Sequence, residues 1–354
     1  MSESIGRPEI IAGLLVLALN AYVLLGGADF GGGLWDLLAS GPRKEEQREL
    51  IADSIAPIWE ANHVWLIIVV VMLFTAFPSA FSTIGIVLHI PVSLLLIGIV
   101  LRGSAFVFRS YGSRTKQSGT TWGLVFSIAS IVAPLLLGAV IGAIADGAVG
   151  DAAERMTGSS FTDTFVRPWA SPFPMIVGVF ALILFAFLAA VYATAAAETD
   201  ALRADFRKRA LIAAITVTVV AAPTLFAYGS VIGGPADRHL KSVIAPPLHV
   251  ITGAAAIATI LALWVRRYRL ARITAALQVS CIIWGWALSQ FPLIIPTEYA
   301  GLTIRAAAAP SATLDLLLIG LIVGVIVLVP SLVYLYRTFA GRSSLTDQGA
   351  HRSE

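Results

Sequence analysis

Three ionisable residues, Asp29, Glu60 and Arg102, sit in stretches that are otherwise apolar enough to dissolve in lipid. Asp29 lies in the run Gly26-Gly-Ala-Asp-Phe-Gly-Gly-Gly. Glu60 belongs to a polar knot, Trp59-Glu60-Ala61-Asn62-His63-Val64-Trp65. There a carboxylate, an amide, an imidazole and two indoles fall within about two helical turns. An ionisable group inside a spanning helix is costly and marks a functional site by default. Two carboxylates and one guanidinium neutralise each other in part and leave one carboxylate to exchange a proton, which is the composition of a relay. Ser127 and Ser130, one turn apart, offer hydroxyls that carry a water chain or bond back to the preceding turn.

Blander readings stand beside this one. Arg102 could snorkel toward a membrane face, and Asp29 could be a helix-end carboxylate at a glycine-rich break. Glu60 and His63 have the Glu-x-x-His spacing of di-iron bundles, but the chain holds no second copy. A haem held between His63 and His89 is another option, since these are the two histidines well inside spans, at depths that differ little. Neither Cys-x-x-Cys nor Cys-x-x-Cys-His occurs, and Cys281 is the single cysteine, so covalent haem attachment, a cysteine zinc site and an internal disulfide are excluded. No metal ligand set is expected.

These residues need helices to hold them. The chain is 58% hydrophobic and 13% charged, about half the charged fraction of a soluble protein, and its mean hydropathy is +0.86. That composition predicts an all-α integral membrane protein. Lipid leaves backbone polar groups no partner outside helices or closed barrels, and nothing here alternates like a barrel strand. Nine segments are long and apolar enough to cross a hydrocarbon core: 9–39, 52–77, 81–108, 121–145, 172–197, 209–232, 243–265, 273–295 and 312–338. The first follows no basic n-region and is read as a retained helix. The connections on one side hold 17 of the 24 Lys and Arg, and those on the other hold six. The positive-inside rule then puts the N-terminus outside and the C-terminus in the cytoplasm. Because the basic residues sit in short loops, the net charge of +3 does not speak for nucleic acid. The external connection 146–171, a solvated cap, divides a single polytopic domain into helices one to four and five to nine. Two four-helix bundles plus a peripheral ninth helix, followed by a cytoplasmic tail at 339–354, are the expected arrangement. Counted along these spans, Asp29, Glu60 and Arg102 share one level in the cytoplasmic half.

The stretches Gly26-Gly-Ala-Asp-Phe-Gly-Gly-Gly, Ile58-Trp-Glu-Ala-Asn-His-Val-Trp-Leu and Leu101-Arg-Gly-Ser-Ala-Phe-Val-Phe-Arg resemble the signature motifs of subunit II of cytochrome bd-type quinol oxidases. Trp284-Gly-Trp-Ala-Leu-Ser-Gln-Phe-Pro and Pro330-Ser-Leu-Val-Tyr-Leu-Tyr resemble its C-terminal helices. The resemblance runs in order over nearly the whole chain. It implies a terminal oxidase of the bacterial cytoplasmic membrane that oxidises quinol and reduces O2 to water. Haems b and d and the main quinol site would belong to subunit I, with which this chain would form an obligate heterodimer without ligating iron itself. A small single-helix accessory subunit and a bound quinone or lipid also occur in such complexes. The resemblance further implies that Asp29, Glu60 and Arg102 line a cytoplasmic proton path, to which the hydroxyls of Ser127 and Ser130 on helix four are added. Trp59, Asn62, His63, Trp65 and Gly103 would be residues of the structural motif. Glu60 stands where many relatives carry Asp, and the position of His63 varies among Gln, Glu and His, so no role is carried onto it.

Two other classes compete. A scaffold subunit would use the same cluster only for structure. A proton-coupled secondary transporter would show related halves with matching helix breaks, and the second half has no counterpart to Gly26–Gly33 or to the Trp59–Trp65 knot.

Overall fold

The computed structural model describes residues 5–55, 59–111, 116–231, 245–297 and 301–340. The expected connection 233–242 and nearly all of the tail lie outside these residues. The first helix, α1 (Arg7–Leu37), starts with Pro8 in its first turn, where a missing N–H is harmless, and Glu9 accepts from the Gly6 amide at 2.8 Å. It runs unbroken through Gly26–Gly33, so the expected glycine-rich break is absent. The glycines instead form a packing seam.

Two expected spans each fall on two described helices. The segment 52–77 is the end of a polar helix, α2 (Lys44–Ile55), followed by α3 (Trp59–Ala76). Residues 56–58, Pro57 among them, lie outside the described residues. The segment 81–108 lies across α4 (Pro78–Val87) and α5 (His89–Tyr111). Pro78 opens α4 in the first turn, the helical position a proline tolerates. The two helices part at Leu88, and His89 is an exposed residue at the start of α5, about 20 Å along that helix from Arg102. The expectation that His63 and His89 lie at similar depth is therefore wrong.

The chain continues through α6 (Lys116–Ala145), the short helices α7 (Ala148–Glu154), α8 (Phe161–Phe165) and α9 (Arg167–Ala170), then α10 (Pro172–Ala196) and α11 (Asp200–Val231). After these come α12 (Ala245–Trp264), α13 (Tyr268–Gln290), a two-stranded antiparallel ribbon of β1 (Leu293–Ile295) and β2 (Leu302–Thr303), α14 (Ile304–Ala307) and α15 (Ser311–Ala340). Among the described residues eight helices are long and apolar enough to cross a membrane: α1, α3, α5, α6, α10, α12, α13 and α15. The expected span 209–232 is helical throughout its described part as α11. The protein is an integral membrane protein.

The helices pack as one body. α10 lies against α1 and α6 as well as α11 and α13, and one apolar cluster including Phe30, Phe126, Phe185 and Phe206 crosses both halves of the chain. A second cluster, with Ile11, Met72, Phe77, Leu88 and Ile295, closes the opposite end. α7 and α9 rest on the end of α6. α15 is peripheral, touching α1 and α3 and exposing Leu316, Ile319, Ile322 and Val323.

Candidate functional site

Close approach of three helices creates a polar site inside this apolar body. A Cβ at Gly31 would run into the backbone carbonyl of Phe185, and one at Gly33 would run into the Ser130 side chain. These positions let α10 and α6 lie directly on α1, and the Trp35 indole N–H donates to the Ala186 carbonyl at 2.7 Å. Between Gly31 and Gly27, Asp29 faces inward and is 4% exposed. It accepts a hydrogen bond of 2.7 Å from Asn62 Nδ2 on α3, itself 1% exposed.

Arg102 on α5 is 2% exposed. Its Nε donates to Ser130 Oγ at 3.2 Å, while Ser130 donates to the Phe126 carbonyl at 2.7 Å. The guanidinium carbon lies 4.7 Å from the centre of the Phe30 ring and 5.3 Å from that of Phe126. Such stacking contributes about 2 kcal/mol when desolvated, against several kcal/mol for burying the cation. Asp29 is the counter-charge within electrostatic reach of the guanidinium. Arg102 Nη2 is buried with no hydrogen-bond partner. A pair of this kind, with an unfilled donor, has the polarity that water or a moving proton occupies.

The other expected residues fall into place around this centre. Trp59 packs edge-on to His63 and against Phe106, and Gly103 gives it room, since a Cβ there would lie 2.9 Å from the indole. Trp65 is half-buried, with its Nε1 unpartnered. Ser127 and Ser130 are both buried. Glu60 departs from expectation: it is exposed on the outer side of α3, so the three charges do not form one cluster. Asp29 and Arg102 are the buried pair, and Glu60 stands on the surface near them.

Asp36 is a residue that the motifs did not single out. It is 2% exposed, accepts from Arg109 Nη1 at 3.0 Å and from Ser127 Oγ at 3.3 Å, and lies 4.0 Å from Arg48 Nε. About two turns separate it from Asp29 along α1. The signal for it was a second acid in the last turns of an apolar helix, with arginines in both neighbouring connections. At the same end Arg43 forks onto Asp205 (2.6 and 3.0 Å), and Gln47 joins them at 2.9 Å. The Arg43 hydrogen bond holds the Asp205 carboxyl below the usual carboxylate range.

Away from the pair, a cavity of about 400 Å³ opens between α1, α6, α10, α11, α12 and α13. It is apolar apart from groups such as Gln278, Ser289 and Trp286, and the Trp286 indole Nε1 is buried without a partner. Among the described residues no three His, Cys, Asp or Glu converge as metal ligands.

Comparison with known proteins places this architecture. The structure is similar to that of a chain in the bd oxidase from Geobacillus thermodenitrificans, with a TM-score of 0.71 at 20% identity over 95% of this chain and 99% of that one. The sequence is 23% identical to the cytochrome bd-I ubiquinol oxidase subunit 2 of Escherichia coli K12 over 86% of each chain. It is 30% identical to the cytochrome bd ubiquinol oxidase subunit 2 of Bacillus subtilis over 35% of this chain. The matches span 54% and 36% of the lengths of two Bacillus subtilis relatives. The family model for cytochrome bd terminal oxidase subunit II matches residues 7–339, and the chain belongs to that family.

Proposed function

We propose that this chain is the haem-free partner in a quinol-oxidising, O2-reducing complex of the bacterial cytoplasmic membrane, and that it conducts protons from the cytoplasm toward haems held by subunit I. The carrying observation is the buried polar series Asp36–Ser127, then Ser130–Arg102, then Asp29–Asn62, inside helices that otherwise face lipid or each other. In this reading α11 is the ninth span, the N-terminus is outside, and the arginine-rich end of the bundle faces the cytoplasm. Asp36 with Arg48 and Arg109 is then the mouth of the path, and Asp29 is its first protonatable stop. Glu60 lies on the outer face of α3, where a partner subunit would receive the proton. Reduction of O2 consumes protons. Drawing them from the cytoplasm while quinol releases its own outside separates charge without a pump.

His63 fits poorly as a haem ligand. The rings of Tyr22, Phe30 and Trp59 crowd it, and the other histidine expected inside a span, His89, is an exposed residue at the start of α5, so the two do not bracket a haem. We therefore assign haems b and d, and the main quinol site, to the partner subunit. The apolar cavity, with the unpartnered Trp286 N–H at its wall, suits a quinone or lipid that is bound rather than turned over. A small single-helix accessory subunit could cover α15 or α3.

The test is purification of the complex from native membranes. A larger subunit carrying b- and d-type haem bands is expected to accompany this chain. In that complex Asp29→Asn should slow O2 consumption by about 100-fold with haem content retained. Loss of the haem bands in this variant would support the scaffold reading instead.

A further inference from the structure

His63 is the motif residue to which neither the sequence nor the proton path gave a role. Its ring lies edge-on among Tyr22, Phe30 and Trp59, each centroid 6.0 Å away. Nδ1 is 2.8 Å from the Trp59 carbonyl oxygen. A carbonyl can only accept, so Nδ1 carries the ring proton and Nε2 presents a lone pair. That Nε2 is buried and has no hydrogen-bond partner. Arg102 Nη2, a buried donor, is unpartnered as well. An orphaned acceptor and an orphaned donor within one polar cluster are the ends that a proton-carrying water would join.

The placement of His63 gives this direction. On α3, Asn62 turns inward to Asp29. Glu60, three residues before His63, neighbours it on the helix surface and faces outward. His63 itself is half-buried, between the closed cluster and the exposed carboxylate. Tyr22 from α1 and Arg102 from α5 act on the ring. Asp29 precedes Phe30, whose ring also meets the imidazole, and Glu60 is one turn away on the same helix.

We propose that His63 is a proton-relay residue linking Asp29 to Glu60. The proton leaves the Asp29 carboxyl and binds Nε2, making the imidazolium. It then departs from the same nitrogen to the Glu60 carboxylate, because Nδ1 stays bound to the Trp59 carbonyl. This rests on the proton-path reading above.

The experiment uses the whole oxidase complex in lipid vesicles. It compares wild type, His63→Gln and Asp29→Asn in electrogenic proton uptake during turnover, with haem content as the assembly control. Glutamine can still donate to the Trp59 carbonyl but cannot carry a proton. His63→Gln should keep its haem and slow proton uptake about tenfold or more. It should also lose any inflection between about pH 5 and about pH 8 that a histidine contributes. Wild-type uptake in His63→Gln beside slow uptake in Asp29→Asn overturns the role of His63 and leaves the path intact. Wild-type uptake in Asp29→Asn overturns the path itself. If His63→Gln fails to assemble, infrared difference spectra of wild-type complex with isotope-labelled histidine decide. Imidazolium bands that come and go with turnover support the relay, and their absence sinks it.

Discussion

Asp29 and Arg102 should behave as one neutral unit, and a double-mutant cycle measures whether they do. Arg102→Gln removes the guanidinium and leaves a 4% exposed carboxylate with the Asn62 amide, at 2.7 Å, as its hydrogen-bond donor. Removing one partner from a buried charge pair costs about 3–5 kcal/mol. Asp29→Asn strands the cation in turn. Arg102 would keep Ser130 and the faces of Phe30 and Phe126, and those contacts offset about 2 kcal/mol of the loss. In the double variant two neutral amides replace the pair and neither charge is stranded. Its stability should exceed the sum of the single effects by about 2–3 kcal/mol.

The assay is thermal denaturation of the purified complex, followed by the fraction that stays monodisperse with its haems. Additivity to within about 0.5 kcal/mol would refute the compensation argument. Turnover separates stability from function. The double variant should be stable again yet remain slow in O2 consumption, because position 29 no longer holds a carboxylate. If turnover also returned, the relay role of Asp29 would be wrong.

Three further outcomes follow from local geometry. Gly31→Ala should destabilise the fold by about 3 kcal/mol or more, because the new Cβ meets the Phe185 carbonyl. Gly13→Ala, with open space around it, should be neutral or gain up to about 1 kcal/mol; paired melting curves compare them. Ser130→Ala removes the acceptor of Arg102 Nε and should cost about 1.5–3 kcal/mol in the same melts. Outside the membrane, burial pushes the Asp146 carboxyl up to about 7. A raised folded value means that its stability contribution is complete below the ordinary Asp value of about 3.9 and is lost as pH rises through about 7. Asp146→Asn should therefore raise the melting temperature at about pH 8 and make no difference below about pH 4.

The sequence made much of the site legible because its polar residues had no apolar reason to be there. Asp29, Asn62, Arg102, Ser127 and Ser130 all turn out buried. What stayed hidden depends on helix faces and on contacts from elsewhere in the chain. α3 is apolar nearly all round, so no periodicity distinguishes the face of Asn62 from that of Glu60. Asp36 looks like a boundary residue until Arg48 and Arg109 arrive from other helices to cover it. The division of the expected span 81–108 at Leu88 leaves no run of polar residues in the sequence. Hydropathy runs straight through it because the residues on both sides are mostly apolar.

The glycine run and the charged pair are parts of one solution. Lipid offers no hydrophobic drive to bring two helices together, so close packing must do it, and small residues allow the approach. Gly33 lets α6 come near enough that Ser130 touches α1. Ser130 is the hydroxyl that fixes Arg102 Nε, and the fixed guanidinium lies over Phe30, the residue after Asp29. A Cβ at position 33 would push away Ser130, then the anchor of Arg102, then the counter-charge of a carboxylate sealed from water. The geometry of a buried carboxyl in the membrane is thus set by residues with no chemistry of their own. This is why the motif around Asp29 consists mostly of glycine: the single acid needs its neighbours to be absent.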